Sequence, residues 1–382
     1  MLRIGGKYYI IMLVIWMLDQ ALKVLKKIED NGFVAYIVGG FVRDYLLGIE
    51  SMDIDICTNA TPKELKEIFE DACIPSEDYG AVILENINHH FEITTFRKEE
   101  IYSDDRKPIE IKYINDLKED LKRRDFTINT ICMDSNKNII DLLGGRKDLE
   151  DKTIRCVGNI YLKFSQDPLR ILRALRFATI LDFEIVNDVK YEIKKSRGLL
   201  KKLSYNRKRE ELDKIFSSPN MKKGIELIKE LDLMDSLELK NLDKVLEYEN
   251  LNDLIGVWAV IDVCDIYPFS NNEKSLIKKI SELYDYGSIS PMTLYKYDLY
   301  VNSVVGSMLG IDKKEIVKMY GELTIHKRSD ICINGDDIIS ILKIEPSKDI
   351  DTILSDIEER IILGKLENDR KAIGKYVVKK YL

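Results

Sequence analysis

Near residue 115 the chain changes its pattern, and that change limits what it can fold into. Upstream, short β-rich runs alternate with brief helical stretches. Downstream, almost every apolar residue falls at helical spacing, with breaks near Gly144-Gly145, Gly158, Gly198, Pro219, Pro268, Pro291 and Pro346. The expected fold class is α+β: a small mixed α/β head followed by an elongated, all-helical neck, body and tail. At 382 residues the chain has room for about two or three cores. With 45% hydrophobic and 33% charged residues, 20 Gly and 8 Pro, it is neither collagenous nor disordered.

Within the head, Leu18, Leu22, Val24, Leu25 and Ile28 repeat at helical spacing until Asn31-Gly32 ends the helix. Val34 to Val38 reads as a strand running into Gly39-Gly40, and Phe41 to Leu47 as a helix stopped at Gly48. Asp53 to Cys57 reads as a second strand, and Thr61-Pro62 opens another helix. Gly80 to Glu85 and His90 to Arg97 are further strands around a turn at Asn86 to Asn88, with one more at Ile109 to Tyr113. The charged stretch Lys98 to Pro108 reads as a mobile loop.

Some function classes drop out early. Six cysteines at 57, 73, 132, 156, 264 and 332 form no CxxC pair, and three histidines occur in all, so neither a zinc site nor a redox pair is written here. The cysteines read as reduced, mostly buried thiols. The apolar run Tyr8 to Leu18 is too short for a bilayer, which needs roughly 20 residues. No signal-peptide cleavage pattern follows it. The amphipathic repeat is regular only from Met17, so a start at Met12 or Met17 competes with Met1. A cytoplasmic protein is the default. A net charge of −7 means that a polyanion would need a local basic face.

Carboxylates and arginines carry the chemistry. In a strand, Asp53 and Asp55 point to one face, and two like charges so close call for a divalent cation. Gly39-Gly40, at a strand-to-helix turn, offers backbone N–H groups to a polyphosphate, and Arg43 adds a charge one turn later. Glu92, on the face opposite Phe91 and Ile93, is either a third carboxylate for the metals or a solvated strand residue. Arg124 and Asp125 suit a triphosphate and ribose hydroxyls, or Asp125 is a helix cap. Asp167-Pro168 opens a helix on which Arg170, Arg173 and Arg176 form a cationic row beside Leu169, Leu172 and Leu175. An Asp/Arg pair at 167 and 170 has the donors and acceptors to read a base edge without a template. The basic run Lys194 to Lys214 is either a solvated face or an RNA-backbone contact.

The strings VGGFVRDYLLG, DIDICTNATP, RRDFTINTI and QDPLRILRALRF, in this order between about Met17 and Ile215, resemble the class II tRNA nucleotidyltransferase and bacterial poly(A) polymerase family. That family belongs to the nucleotidyltransferase superfamily that includes DNA polymerase β. ICINGDDIISIL is similar to the helical tail of Gram-positive-type members.

The resemblance implies a polymerase β-like catalytic head at 17–140, a helical nucleotide-recognition neck at 141–216 and a helical tRNA-binding body and tail at 217–382. It implies Mg²⁺ on Asp53 and Asp55, which would be catalytic, and the triphosphate on Gly39, Gly40 and Arg43. Arg124 and Asp125 would contact phosphate and ribose, Asp167 and Arg170 would read the base, and Arg173 and Arg176 would support the nucleotide. The reaction implied is addition of CCA to the 3′ end of tRNA from CTP and ATP, with pyrophosphate leaving. The partners are then tRNA and the two nucleotides, with no membrane and no stable protein partner.

Gln166 stands where the family commonly has Glu, Thr130 where Ala is usual, and Asn206 where Glu precedes Arg207. The full-length stretch Thr95 to Pro108 favours addition of the terminal A. An A-adding or CC-adding specialist, a poly(A) polymerase and a non-catalytic tRNA clamp are the rivals. Without a His-Asp motif, hydrolysis of 2′,3′-cyclic phosphates is not expected.

Overall fold

The computed structural model describes residues 2–70, 72–76, 80–86, 89–102 and 108–382. Its contacts divide the chain into two compact units, Met1–Leu237 and Glu238–Leu382.

The first unit opens with α1 (Leu2–Asp30), continuous through the stretch where the periodicity had looked irregular. Met17, Leu18, Ala21, Leu25 and Ile28 are buried, one stripe at helical spacing. Gly32 at φ 89° then turns the chain into β1 (Ala35–Val38), α2 (Gly40–Leu47), β2 (Asp55–Thr58) and α3 (Pro62–Ile68). Gly48 ends α2 in the left-handed region at φ 68°. Thr61 and Glu64 form a reciprocal capping box in front of Pro62.

Next come β3 (Ala72–Ser76), β4 (Ala81–Asn86), β5 (His89–Thr95), β6 (Arg97–Tyr102), β7 (Pro108–Tyr113), α4 (Leu117–Lys122), β8 (Cys132–Met133) and β9 (Ile139–Ile140). Seven of these strands make a mixed sheet in the order β3-β4-β5-β2-β1-β8-β9. Neighbours are antiparallel except β2 and β5, which are parallel.

Several expectations are corrected. The charged stretch from Lys98 is no loop: β6 and β7 pair as a separate antiparallel hairpin from Arg97↔Tyr113 to Tyr102↔Pro108. Residues 103–107 and the turn residues 87–88 lie outside the described residues. Strand β2 begins at Asp55, so Asp53 stands at its entry and not within it. β3 was not foreseen, because its Pro75 reads as a strand breaker. All six cysteines are thiols, as expected, but only Cys57, Cys132 and Cys156 are buried.

The rest of the unit holds α5 (Gly145–Glu150), β10 (Thr153–Ile154), α6 (Ile160–Gln166), α7 (Leu169–Ile180), β11 (Glu184–Ile185), α8 (Asn187–Ser196), α9 (Tyr205–Phe216), α10 (Met221–Glu230) and α11 (Met234–Leu237). The two-residue strands β10 and β11 pair in parallel inside what reads as helical sequence. Helix α7 buries Ile171, Leu172, Ala174, Leu175 and Ala178 and packs on α9 and α10. Gly224 permits the approach of α10: a Cβ there would sit 2.4 Å from Ile215 Cγ2 and 2.8 Å from Thr179 Oγ1.

The second unit is helical, with α12 (Leu254–Ile261), α13 (Asn271–Tyr286), α14 (Pro291–Met308), α15 (Lys313–Gly321), α16 (Gly335–Leu342), α17 (Asp349–Ile362) and α18 (Arg370–Tyr381). Its core is isoleucine-rich, including Ile316, Ile338, Ile357, Ile361 and Ile373. Helix α14 kinks at Asp298, whose φ of 66° is left-handed. Asn302 Nδ2 steadies the kink by donating to the Thr293 and Asp298 carbonyls. Among the described residues no helix is long and apolar enough to cross a membrane.

Candidate active site

Strand β1 ends at Val38, paired with Asp55, and Asp55 is in turn in register with Glu92 of β5. Gly39 therefore turns beside the first acidic residue of β2. It does so at φ 86°, ψ −136°, which glycine alone adopts without strain. A Cβ on Gly39 would lie 3.5 Å from Arg124 Nη1 and 3.6 Å from Asp55 Oδ2, and one on Gly40 would lie 3.6 Å from Arg43 Nη2. The turn thus presents bare backbone between a carboxylate and two guanidinium groups, a suitable bed for phosphate.

Ile54 and Ile56 point into the core while Asp53 is exposed and Asp55 half-buried. The Asp55 carboxyl is pushed up to about 6 by burial and by the Asp53 charge, with Glu92 adding to the push and Arg124 opposing it. Three carboxylates so close repel one another, and a bound cation relieves that repulsion. Glu92 is solvent-exposed and does not line the cleft. Among the described residues no group of three His, Cys, Asp or Glu side chains is arranged to hold a metal ion. Two carboxylates completed by substrate oxygens suit a hard divalent cation such as Mg²⁺.

The arginines are held in place by carboxylates before any nucleotide arrives. Arg43 donates from Nε and Nη2 to Asp44, at 2.8 and 2.9 Å, and from Nη1 to Asn129 Oδ1 at 2.7 Å. Asp125 accepts from the Phe126 N–H (2.8 Å), Asn129 Nδ2 (3.2 Å) and Arg173 Nε (2.6 Å). Burial pushes its carboxyl up, but the Arg173 charge and hydrogen bond outweigh this and hold it below the usual carboxylate value. Arg176 pairs with buried Glu211 of α9 at 3.2 Å. Half-buried Arg124 lies 3.9 Å from Asp120, and its Nε has no hydrogen-bond partner among the described residues.

Asp167 accepts from the Leu169 N–H at 3.2 Å and so caps α7. Its ionic partner is Arg207 at 3.3 Å, not Arg170. Arg170 donates to two backbone carbonyls, those of Lys163 (3.2 Å) and Arg123 (3.3 Å). The pair foreseen to read a base therefore shares the cleft, joined by the Arg170 N–H to the Asp167 carbonyl (3.1 Å) while each side chain is held by another partner.

One cleft of about 660 Å³ gathers the sequence-derived candidates other than Glu92: Gly39, Gly40, Arg43, Asp53, Asp55, Arg124, Asp125, Asp167, Arg170, Arg173 and Arg176. Its lining carries eight Arg or Lys side chains against five Asp, so it favours a polyanion although the whole chain is acidic. Among the lining residues that the sequence reading did not assign to the site, three organise its arginines: Phe177, Asn129 and Arg207. Phe177 lies under the guanidinium groups of Arg43 (5.1 Å), Arg173 (5.3 Å) and Arg176 (4.4 Å) and meets Phe126 edge-on. Asn129 and Arg207 join the ion-pair network described above. Only the third had a signal, its place in the Lys194–Lys214 basic run. That run divides: Arg207 and Lys214 line the cleft, Lys208 is buried, and Lys194, Lys195, Lys201 and Lys202 face solvent.

Comparison with known proteins places this cleft in context. A family model of the poly A polymerase head domain matches residues 35–155. Models of the probable RNA- and SrmB-binding site of polymerase A and of tRNA nucleotidyltransferase domain 2 match 182–243 and 258–377. A CCA-adding enzyme of Lactococcus lactis is 36% identical over 93% of this chain and 95% of its own length. One of Streptococcus mutans is 34% identical over 94% and 97%. The chain belongs to the CCA-adding enzyme family. A Bacillus stearothermophilus CCA-adding enzyme solved with CTP superposes with a TM-score of 0.84 at 25% identity, over 95% of this chain and 97% of that one. A Thermotoga maritima CCA-adding enzyme with tRNA shares the fold at a TM-score of 0.67 and 23% identity. The chain is thus a tRNA nucleotidyltransferase with a polymerase β-like head and a helical body, and nucleotidyltransferases of this kind generally use a divalent metal.

Proposed function

We propose that the chain adds C, C and A in turn to the 3′ end of tRNA from CTP and ATP, without a template. One observation carries this. A chain similar over nearly its whole length to CCA-adding enzymes keeps an acidic pair, a Gly-Gly turn and an arginine row in one cleft. In the functional division that follows, residues 17–140 are the catalytic head, 141–216 recognise the nucleotide, and 217–382 bind tRNA.

Gly39, Gly40 and Arg43 hold the triphosphate, with Arg124 beside them. Asp125 faces the ribose, Asp167 and Arg170 meet the base edge, and Arg173 and Arg176 support the nucleotide. Asp53 and Asp55 would hold Mg²⁺ together with phosphate oxygens, and the bound ion supplies positive charge at the reacting phosphate. The tRNA 3′-oxygen forms a bond to the α-phosphorus. The bond to the bridging oxygen breaks, pyrophosphate leaves with that oxygen, and the hydroxyl proton passes to solvent. The chain's contribution is positioning and charge neutralisation, as expected where there is little covalent work for the protein. Such an enzyme works in the cytoplasm, where tRNA and both nucleotides are found.

The test is extension of tRNA transcripts lacking CCA, CA or A, resolved nucleotide by nucleotide. Addition of C, C and A followed by arrest is expected, and Asp53→Ala with Asp55→Ala should abolish transfer while tRNA still binds. Addition of A alone, of CC without A, or of a long A tail would replace the proposal with the corresponding specialist. No extension with tRNA bound would favour a non-catalytic clamp.

A further inference from the structure

We infer that Asn129 is a positioning residue that ties the triphosphate arginine to the ribose carboxylate, so that the cleft selects ribonucleotides through one connected unit. This rests on the roles proposed above for Arg43 and Asp125. The connection is continuous: Arg43 Nη1 donates to Asn129 Oδ1 at 2.7 Å, Asn129 Nδ2 donates to Asp125 Oδ1 at 3.2 Å, and Arg173 Nε donates to Asp125 Oδ2 at 2.6 Å. It joins α2, the single turn Thr127–Asn129 and α7.

The chemistry singles out the amide. Arg43 can only donate and ionised Asp125 can only accept, so the group between them must accept on one side and donate on the other. An aspartate in its place would face Asp125 with a second negative charge. The amide is 6% exposed, and its turn is fixed by the Asn129 N–H to the Phe126 carbonyl (3.0 Å) and by Thr127 Oγ1 to Asp148 Oδ2 (2.6 Å). Asp125 Oδ1 is also held by the Phe126 N–H, so both carboxylate oxygens have fixed directions and their remaining acceptor capacity is pre-aimed. A ribose 2′-hydroxyl meets an acceptor that does not have to reorganise, and a deoxyribose leaves that acceptor unmet. Arg43, clamped by Asp44 on its other edge, registers the phosphate in the same frame.

The experiment titrates ATP and 2′-dATP into the full chain and follows terminal A addition to tRNA ending in CC. It compares wild type with Asn129→Leu, which keeps the side-chain volume and removes both hydrogen bonds. The preference for ATP over 2′-dATP in binding should fall by about fivefold or more, the worth of one well-placed hydrogen bond. KM for ATP should rise while kcat stays within about threefold. Asn129→Ala, which cannot overpack, repeats the measurement if the leucine variant melts early. Equal weakening toward both nucleotides, or a wild type indifferent to the 2′-hydroxyl, would overturn the inference. A wild type that prefers ATP in binding yet extends no tRNA would refute the proposed function, with the linkage still decided by the binding ratio.

Discussion

Replacing Asp125 by asparagine keeps the shape of the side chain and removes the charge that Arg173 faces. The pair is short, at 2.6 Å, with the Asp125 side chain 9% and the Arg173 side chain 32% exposed. Breaking a buried ion pair by removing one partner costs about 3–5 kcal/mol. Arg173 retains some water, which brings the expected loss down to about 2–3 kcal/mol. For a unit of this size each kcal/mol moves the midpoint by about 2–4 °C, so Asp125→Asn should lower Tm by about 5–10 °C at pH 7. The pH dependence follows from the direction of the shift. Asp125 titrates below its ordinary value of 3.8 in the folded chain, so its stabilisation is complete above about pH 4 and is lost as pH falls through the lowered value. Wild type and variant should therefore converge on acidification. Calorimetric melts at pH 7 and pH 3.5 make the comparison. A midpoint at pH 7 within about 2 °C of wild type would mean that the pair contributes nothing, and would remove the ionic link between Asp125 and α7.

Three further outcomes are expected. In metal-free buffer, wild-type stability should fall as pH rises from about 4 to about 6 and then level off, because Asp55 holds its proton more tightly folded than unfolded; Asp55→Asn should lack that slope in urea midpoints taken with EDTA. Phe177→Leu removes three cation–ring contacts worth about 0.5–1 kcal/mol each, so KM for ATP and CTP should rise about tenfold with kcat little changed in steady-state extension. Gly145→Ala would put a methyl group 2.2 Å from the Thr127 carbonyl oxygen and 2.9 Å from Ile131 Cγ1, and should cost about 1–3 kcal/mol or more in urea unfolding.

The architecture was legible wherever a periodic run was long or a stop signal strong. The helix ending at Asn31-Gly32, the strand before Gly39, the helix stopped at Gly48 and the Thr61-Pro62 start all lie within a residue or two of expectation. Strands β8 to β11 were not legible, because two residues leave no period to see. The first half of the β6/β7 hairpin was hidden by its charge: Lys98, Glu99 and Glu100 read as loop, yet their backbones pair with the strand foreseen at Ile109 to Tyr113. Apart from Glu92, the residues expected at the site line one cleft, because glycines, strand carboxylates and a helical arginine row each carry a local signal. Partnerships were another matter. That Asp167 binds Arg207, forty residues on, and that Asn129 stands between Arg43 and Asp125, depends on how helices and sheet meet, which no short string encodes.

One detail of α7 bears on how such chains can change over time. The Asp167 side chain fixes where that helix begins, and each residue thereafter turns it by about 100°. A residue gained or lost between Gln166 and Leu169 would swing Arg173 and Arg176 away from the cleft and carry Leu172 and Leu175 toward water in the same stroke. Exchange of letters in this segment is graded in its effect, whereas a change of length is all-or-none. Lineages that keep the activity should therefore vary here by substitution and almost never by gap.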